Sequence, residues 1–284
     1  TWKSISICHL ELKNFGAAEA ALNQSKIFLP ANENIDKALL NLYIQMEEYQ
    51  KAEKLAEKLV DQFKEEKQYW SIYIQSLLAN QKSKKALFHQ EIMTRLFRPE
   101  EHDLKLLADL YYNEKIYLKA APIYLKIEGQ LSGRATLLAA RSYSYAQDFK
   151  KVIGILKSTK LLSPSQKSEF HSLQGQAYLK LKQNEKALNS LLNAVKFDSK
   201  NSAVLFNIAE IYEKSEQYEQ ALDYYSRASK DNNYFVSSKL RKARIYINLN
   251  LNQDALKEVE AVKSVNNSNA TNNFLKYLKS TTVN

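Results

Sequence analysis

Between Ser202 and Phe235 the apolar residues fall into two stripes, Leu205, Ile208, Ala209 and Tyr212, then Tyr218, Ala221, Leu222, Tyr225 and Ala228. Each stripe has the i, i+3, i+4, i+7 spacing of one buried helix face. The polar run Glu213–Gln217 between them is short, so the two helices are predicted to fold back antiparallel. Ala209 and Ala221 are placed at the helix crossing, where a larger side chain would push the axes beyond the ~8–10 Å of close packing. Tyr212, Tyr218 and Tyr225 are predicted to fill the space between one pair and the next, because a lone helix pair cannot bury both of its faces.

The pattern returns at a spacing of 34 residues: Tyr212 maps onto Tyr178 and Tyr246, Ala221 onto Ala187 and Ala255, and Tyr225 onto Leu191 and Val259. Anchoring on Ala18, Ala52, Ala86, Ala120, Val152, Ala187, Ala221 and Ala255 gives eight repeats, at 1–32, 33–66, 67–100, 101–132, 133–167, 168–201, 202–235 and 236–268. This lettering resembles the tetratricopeptide repeat, in which a large residue, a Leu and small residue, and an aromatic mark the first helix. An aromatic, an Ala, an aromatic and a small residue mark the second. The resemblance implies an all-α, right-handed superhelical solenoid of about eight helix-turn-helix repeats plus a C-terminal capping helix, with residues 1–284 forming one array.

Departures from the pattern carry their own expectations. The first repeat is short, with Trp2 at its large position, Cys8 in its apolar stripe and Pro30 closing it; Thr1 falls inside a first helix, so further residues are expected before it. Leu40 and Ile74 stand where small residues are usual, which predicts looser or differently angled crossings. Pro122 lies inside the second helix of the fourth repeat and removes the bond to the Leu118 carbonyl, so a kink or a delayed start is predicted. Glycines at 129 and 133, with repeat lengths of 32 and then 35, mark a candidate bend at 129–133; an ordinary glycine-terminated helix is the alternative. Ser163-Pro164-Ser165-Gln166 reads as a helix start, Ser163 the N-cap and Gln166 its capping-box partner. A last helix over 271–280, with Thr271 as N-cap and Phe274, Leu275 and Leu278 on one face, is the expected cap.

Composition supports an ordered helical chain: of 284 residues 45% are hydrophobic and 25% charged, with only 5 Gly and 4 Pro. No apolar run reaches the ~18 residues of a membrane span. The single cysteine, Cys8, excludes an intramolecular disulfide and a Cys-based zinc site and reads as a small core hydrophobe. His9, His89, His102 and His171 lie in different repeats without metal-ligand spacing, and no nucleophile-elbow, HExxH or phosphate-loop motif is present. The chain is therefore read as a non-enzyme without cofactor or metal.

In solenoids of the family it resembles, the first helix of each repeat lines a concave groove. The residues this places there are Lys37, Asn41, Gln75, Lys105, Tyr112, Arg134, Arg141, Tyr145, Gln176, Phe206, Asn207, Arg241 and Arg244, with Gln68, Asp109 and Glu210 at equivalent positions. Amides, cations and aromatics together suit a peptide, and the arginines favour an acidic one. Some family members clamp a C-terminal carboxylate with Lys and Asn, then Asn, then Lys and Arg. Here Asn207 and Arg241 match, but Gln176 replaces the first Asn and Ser172 and Ser237 replace the lysines. Lys37 and Asn41 open the pattern in the second repeat, and Ile72 and Leu106 break it. A chaperone-tail ligand is not expected.

The net charge of +10 is uneven, running +1, −4, +4, −1, +6, +2, −3 and +3 over the repeats and +2 in the cap. The fifth repeat, with Arg134, Arg141, Lys150, Lys151, Lys157, Lys160 and Lys167 against Asp148, is the basic maximum. It reads as a surface for an acidic protein, an anionic lipid or nucleic acid, or as a lysine-rich background. Nucleic-acid binding through this repeat is the alternative function, and the acidic second and seventh repeats interrupt any continuous track for it. A narrower resemblance comes from Lys67-Gln68-Tyr69-Trp70, Leu107-Ala108-Asp109-Leu110-Tyr111 and Lys119-Ala120-Ala121. These are similar to motifs of the tetratricopeptide proteins found with TonB-ExbB-ExbD systems of gammaproteobacteria. That resemblance implies a periplasmic accessory of energy-coupled uptake; the cytoplasm is the alternative compartment.

Overall fold

The structure is a computed structural model that describes residues 14–30, 32–127, 132–157, 159, 163–266 and 268–282. It divides into two compact units, Thr1–Glu128 and Gly129–Asn284. Unit 1 contains α1 (Phe15–Phe28), α2 (Glu33–Gln45), α3 (Tyr49–Gln62), α4 (Lys67–Ala79), α5 (Ser83–Leu96), α6 (Glu101–Asn113) and α7 (Tyr117–Tyr124). Unit 2 contains α8 (Ser132–Tyr145), α9 (Phe149–Lys157), α10 (Pro164–Lys180), α11 (Asn184–Phe197), α12 (Ser202–Lys214), α13 (Tyr218–Ala228), α14 (Asn232–Asn248), α15 (Asn252–Lys263) and α16 (Asn269–Thr282). Among the described residues there is no strand, and each unit is a stack of helical hairpins. Trp2, Cys8 and His9 lie outside the described residues.

The eight anchor positions all sit at close crossings: Ala18, Ala52, Ala86, Ala120, Val152, Ala187, Ala221 and Ala255 have 0% of their surface exposed. In the sixth repeat the facing position is Gly175, where an added Cβ would lie 2.5 Å from Leu191 Cγ and 3.3 Å from the Ala187 carbonyl oxygen. Leu40 and Ile74, the large residues at that position in the second and third repeats, are also buried.

Among the described residues, seven hairpins each turn on one residue in the left-handed region. Glu47, Gln81, Lys115, Gln147, Lys182, Glu216 and Asn250 have φ between 57° and 61°, and each stands five positions before its repeat's anchor. The next residue donates its N–H back across the helix end, as from Glu48 to the Tyr43 carbonyl at 2.9 Å, Lys82 to Leu77 at 2.8 Å and Gln217 to Tyr212 at 2.9 Å. This double-bonded helix end satisfies carbonyls that the helix itself leaves free. Glycine is the usual occupant; a side chain there costs roughly 1–2 kcal/mol. The turn geometry is the same in the fourth and fifth repeats, so their irregular lengths arise between hairpins.

Polar contacts lock neighbouring hairpins of unit 1. Tyr43 and Lys51 both reach Glu19 at 3.1 Å, and Lys26 pairs with Asp36. One junction on, Tyr69 donates to Glu33 at 2.7 Å, while Lys82 and Asn80 hold Glu53 at 2.6 and 2.7 Å. At the next, Lys67 pairs with Glu100 at 2.9 Å and Asp103 at 2.7 Å, and Tyr111 donates to Glu91. Burial, then the carboxylate partner, pushes the Tyr43 phenol up to about 12 and raises Tyr69 further, so both hydroxyls act as donors. The tyrosines therefore fill space and anchor a hydroxyl at once.

Two local expectations are revised, and a third is left untouched. Helix α7 begins at Tyr117, three residues before its anchor as α3 does, so Pro122 does not delay the start. Instead the helix ends two residues after the proline and is 8 residues long against 14 in α3. The cap helix is longer than 271–280, and Ser268 rather than Thr271 caps it: Ser268 Oγ accepts the Thr271 amide at 3.2 Å, while Thr271 is buried. The proposed bend at 129–133 falls largely on residues outside those described, with Gly133 inside α8. The capping box is present as expected, with Gln166 accepting from the Ser163 amide at 2.9 Å.

Gly175→Ala should lower the urea midpoint of the helical signal by an amount equivalent to about 1–3 kcal/mol of overpacking, despite alanine's better helix propensity; an unchanged midpoint would mean that α10 and α11 do not cross there. Lys115→Gly, at an exposed left-handed position, should raise stability by roughly 0.5–1 kcal/mol in the same assay.

Candidate functional site

In unit 2 the first helices of three successive hairpins, α8, α10 and α12, frame a groove made of two adjoining cavities. The smaller, of 600 Å³, is lined by Arg141, Ser168, Glu169, Ser172, Phe197 and Asn201, among others. The larger, of 890 Å³, is lined by Phe149, Leu179, Lys180, Lys182, Asn207 and Lys214, among others. Ser144, Tyr145 and Gln176 belong to both and join them. Tyr145, at the junction, is 57% exposed.

Four of the sequence-predicted residues, Arg141, Tyr145, Gln176 and Asn207, thus come together, with Glu210 beside them. Gln176 donates to Ser172 at 3.3 Å. Others do not line these cavities. Arg134 and Arg244 are exposed on α8 and α14. Phe206 packs edge-on against Tyr225, with centroids 5.3 Å apart, and against Tyr234 at 5.5 Å. In unit 1, Asn41, Gln68 and Gln75 are exposed, and the Lys37 ammonium lies 5.9 Å above the Tyr69 ring. Lys105 pairs with Asp109 at 2.7 Å, and Tyr112 meets Tyr117 edge-on at 5.5 Å.

Two of the four arginines expected to grip a partner's carboxylates already have carboxylates of their own. Arg141 pairs with Glu169, and Arg241 reaches Glu210 at 2.8 Å and Glu213 at 3.5 Å. The stacking explains it: these partners are 28 and 31 residues apart, nearly one repeat, so they face each other from neighbouring first helices. The basic fifth repeat is reduced in the same way. Lys151 pairs with Asp148 at 3.1 Å, Lys167 covers the Phe197 ring at 5.5 Å, and Lys160 lies outside the described residues.

Sequence reasoning missed three of the groove's serines, Ser144, Ser165 and Ser168, and its lysines, Lys180, Lys182 and Lys214. Lys180 and Lys214 are equivalent residues in the last turns of α10 and α12, a recurrence visible at the repeat spacing.

Two histidines are part of the packing. His89 sits among Trp70, Tyr73 and Phe88, with ring centroids 6.0, 4.7 and 5.2 Å away. His171 meets Phe170 edge-on at 5.0 Å and stacks on Phe197, a groove residue, at 6.0 Å. Burial lowers the pKa of both, and Lys196 and Lys167 add to the effect at His171. His102 is exposed beside Asp103 at 3.1 Å. Among the described residues no three His, Cys, Asp or Glu side chains are grouped to hold a metal ion, and no helix is long and apolar enough to cross a membrane.

Comparison with known proteins agrees with this architecture. Residues 172–235 match the family model of the tetratricopeptide repeat. Over 238 residues the chain is 24% identical to anaphase-promoting complex subunit 3 of Schizosaccharomyces pombe, covering 82% of this chain and 35% of that protein. The chain thus spans about a third of the length of that curated relative. Among solved structures, the C-terminal part of a tetratricopeptide repeat-containing protein from Cytophaga hutchinsonii superposes with a TM-score of 0.64 at 12% identity, over 81% of this chain and 95% of that one. Naa15/Naa10 bound to HypK-THB gives 0.62 at 16% identity, over 95% and 42%. Pseudomonas aeruginosa pilF gives 0.54 at 14% identity, over 75% and 96%. The fold is that of the tetratricopeptide repeat.

The depressed histidines predict acid sensitivity. A histidine whose folded pKa lies below its unfolded value of ~6.5 contributes stability that is intact above pH 6.5 and is lost as the pH falls through the folded pKa. The thermal midpoint should therefore drop on acidification below that point, and less so in His171→Phe, which keeps an aromatic ring on Phe197. Equal acid sensitivity in wild type and variant would show that His171 is not buried neutral.

Proposed function

We propose that the protein is a non-catalytic scaffold that holds a segment of a partner protein in the unit 2 groove. The observation that carries this reading is the convergence of Arg141, Tyr145, Gln176 and Asn207, from three successive first helices, on one open cleft. Amides there can satisfy a peptide main chain, and the exposed Tyr145 supplies an aromatic anchor with little ordering cost. The Naa15/Naa10 structure and the anaphase-promoting complex subunit are by name parts of protein assemblies, which accords with a scaffold. The partner segment is taken to be acidic, as the excess of cations predicts.

The finer assignment, an accessory of a TonB-type uptake system in the bacterial periplasm, rests on the runs Lys67–Trp70, Leu107–Tyr111 and Lys119–Ala121. The cytoplasm is its alternative. Nucleic-acid binding by the fifth repeat has a narrower basis, since Arg141 and Lys151 are ion-paired and Lys167 lies on an aromatic ring.

A photo-crosslinking phenylalanine at position 145, irradiated in source cells, should yield one discrete protein adduct, recovered with the periplasmic fraction if the finer assignment holds. The adduct should vanish when Gln176→Ala and Asn207→Ala are added, and the same crosslinker at the exposed Glu219 should give none. Adducts of equal pattern from both positions would end the groove reading, and a nuclease-sensitive adduct would favour nucleic acid.

A further inference from the structure

The two ends of the groove differ in charge. The larger cavity is lined by Lys180, Lys182 and Lys214 against one carboxylate, Glu210, which Arg241 already holds at 2.8 Å. All three lysines are exposed, and among the described residues none of them makes an ion pair. At the other end Arg141 and Glu169 neutralise each other, leaving Asp198 and a wall of serines with Gln176 and Asn201. Asp198 Oδ1 accepts a local amide, from Lys200 at 3.1 Å. The helix dipole accounts for lysines in the last turns of α10 and α12. It does not account for the amides Gln147, Asn184 and Asn207 set among them.

The geometry points to a charge-polarised dock, and this rests on the groove reading above while adding the partner's charge pattern. The occupant is an extended protein segment with a cluster of carboxylates on Lys180, Lys182 and Lys214, an apolar side chain on Tyr145, and hydroxyl or amide side chains along the serine wall. The same polarity works against a uniform polyanion, because a phosphate backbone continuing past Tyr145 meets Asp198 and an Arg141 already paired with Glu169. Within the groove, recognition passes from Arg141, which is paired with Glu169, to Lys180, Lys182 and Lys214.

The test is fluorescence anisotropy on the full chain with three labelled probes. One is a peptide with four glutamates followed by tyrosine and a serine-asparagine run; the second has the same composition with the glutamates interspersed; the third is an oligothymidylate of similar length. The block peptide should bind tightest and weaken as salt rises. Lys180→Glu, Lys182→Glu and Lys214→Glu together should weaken it roughly tenfold or more, while Lys150→Glu with Lys157→Glu on α9 should leave it unchanged. Glutamate is compatible with the turn at position 182, since Glu47 and Glu216 occupy the equivalent turns. Equal loss in both variants, equal affinity for both peptides, tighter binding of the oligothymidylate, or no binding at all would overturn the polarised dock. If the adduct at position 145 still forms in any of those cases, the groove stands and only its charge pattern falls.

Discussion

Close approach of two helices at a single small side chain is the constraint on which the rest of the array depends. A hairpin whose axes are held near by Ala221 or Ala187 buries one face of each helix and leaves the others needing a neighbour. The left-handed residue five positions earlier fixes where the second helix starts, and so sets which of its residues meets the crossing. Crossing and turn recur together from Glu47 to Asn250 even where repeat length varies. Irregularity falls after the crossing, in the shortened second helix α7, and in the link that the capping box at Ser163 closes.

From this follows the chemistry of the inner face. First helices stacked at one-repeat spacing bring side chains about 30 positions apart into contact, so a cation on one helix meets whatever the next presents. Where that is Glu169 or Glu210, the arginine becomes part of the stack. Where nothing acidic faces it, as at the ends of α10 and α12, the charge remains available to solvent.

Much of the fold could be read from the residues, because the anchors and tyrosines of a repeat announce themselves by recurrence. Ala18 to Ala255 were placed correctly, and so was the helix start at Ser163. The left-handed turns were not foreseen: their occupants are Glu, Gln, Lys and Asn, and without glycine the positive φ leaves no mark in the letters. The cap at Ser268 was missed because two hydroxyl residues three apart can each begin a helix, and only burial of Thr271 decides between them. For the site, facing into the groove could be inferred for Tyr145, Gln176 and Asn207, but pairing could not. Whether Arg141 is free depends on the rotamer of Glu169 one repeat away, which no periodicity contains.

The locks between hairpins in unit 1 bear on how such an array can change over evolutionary time. Tyr43 needs Glu19, Tyr69 needs Glu33, and Tyr111 needs Glu91, each from the preceding module and each at a different offset. A second copy of the third module placed directly behind the first would set Lys67, the residue equivalent to Glu33, where its Tyr69 needs a carboxylate, at a cost of about 1–3 kcal/mol for the lost acceptor. Modules of this chain are consequently not interchangeable bricks. Their order is written into the joints, and lengthening by duplication would have to be followed by point changes on both sides of the new seam.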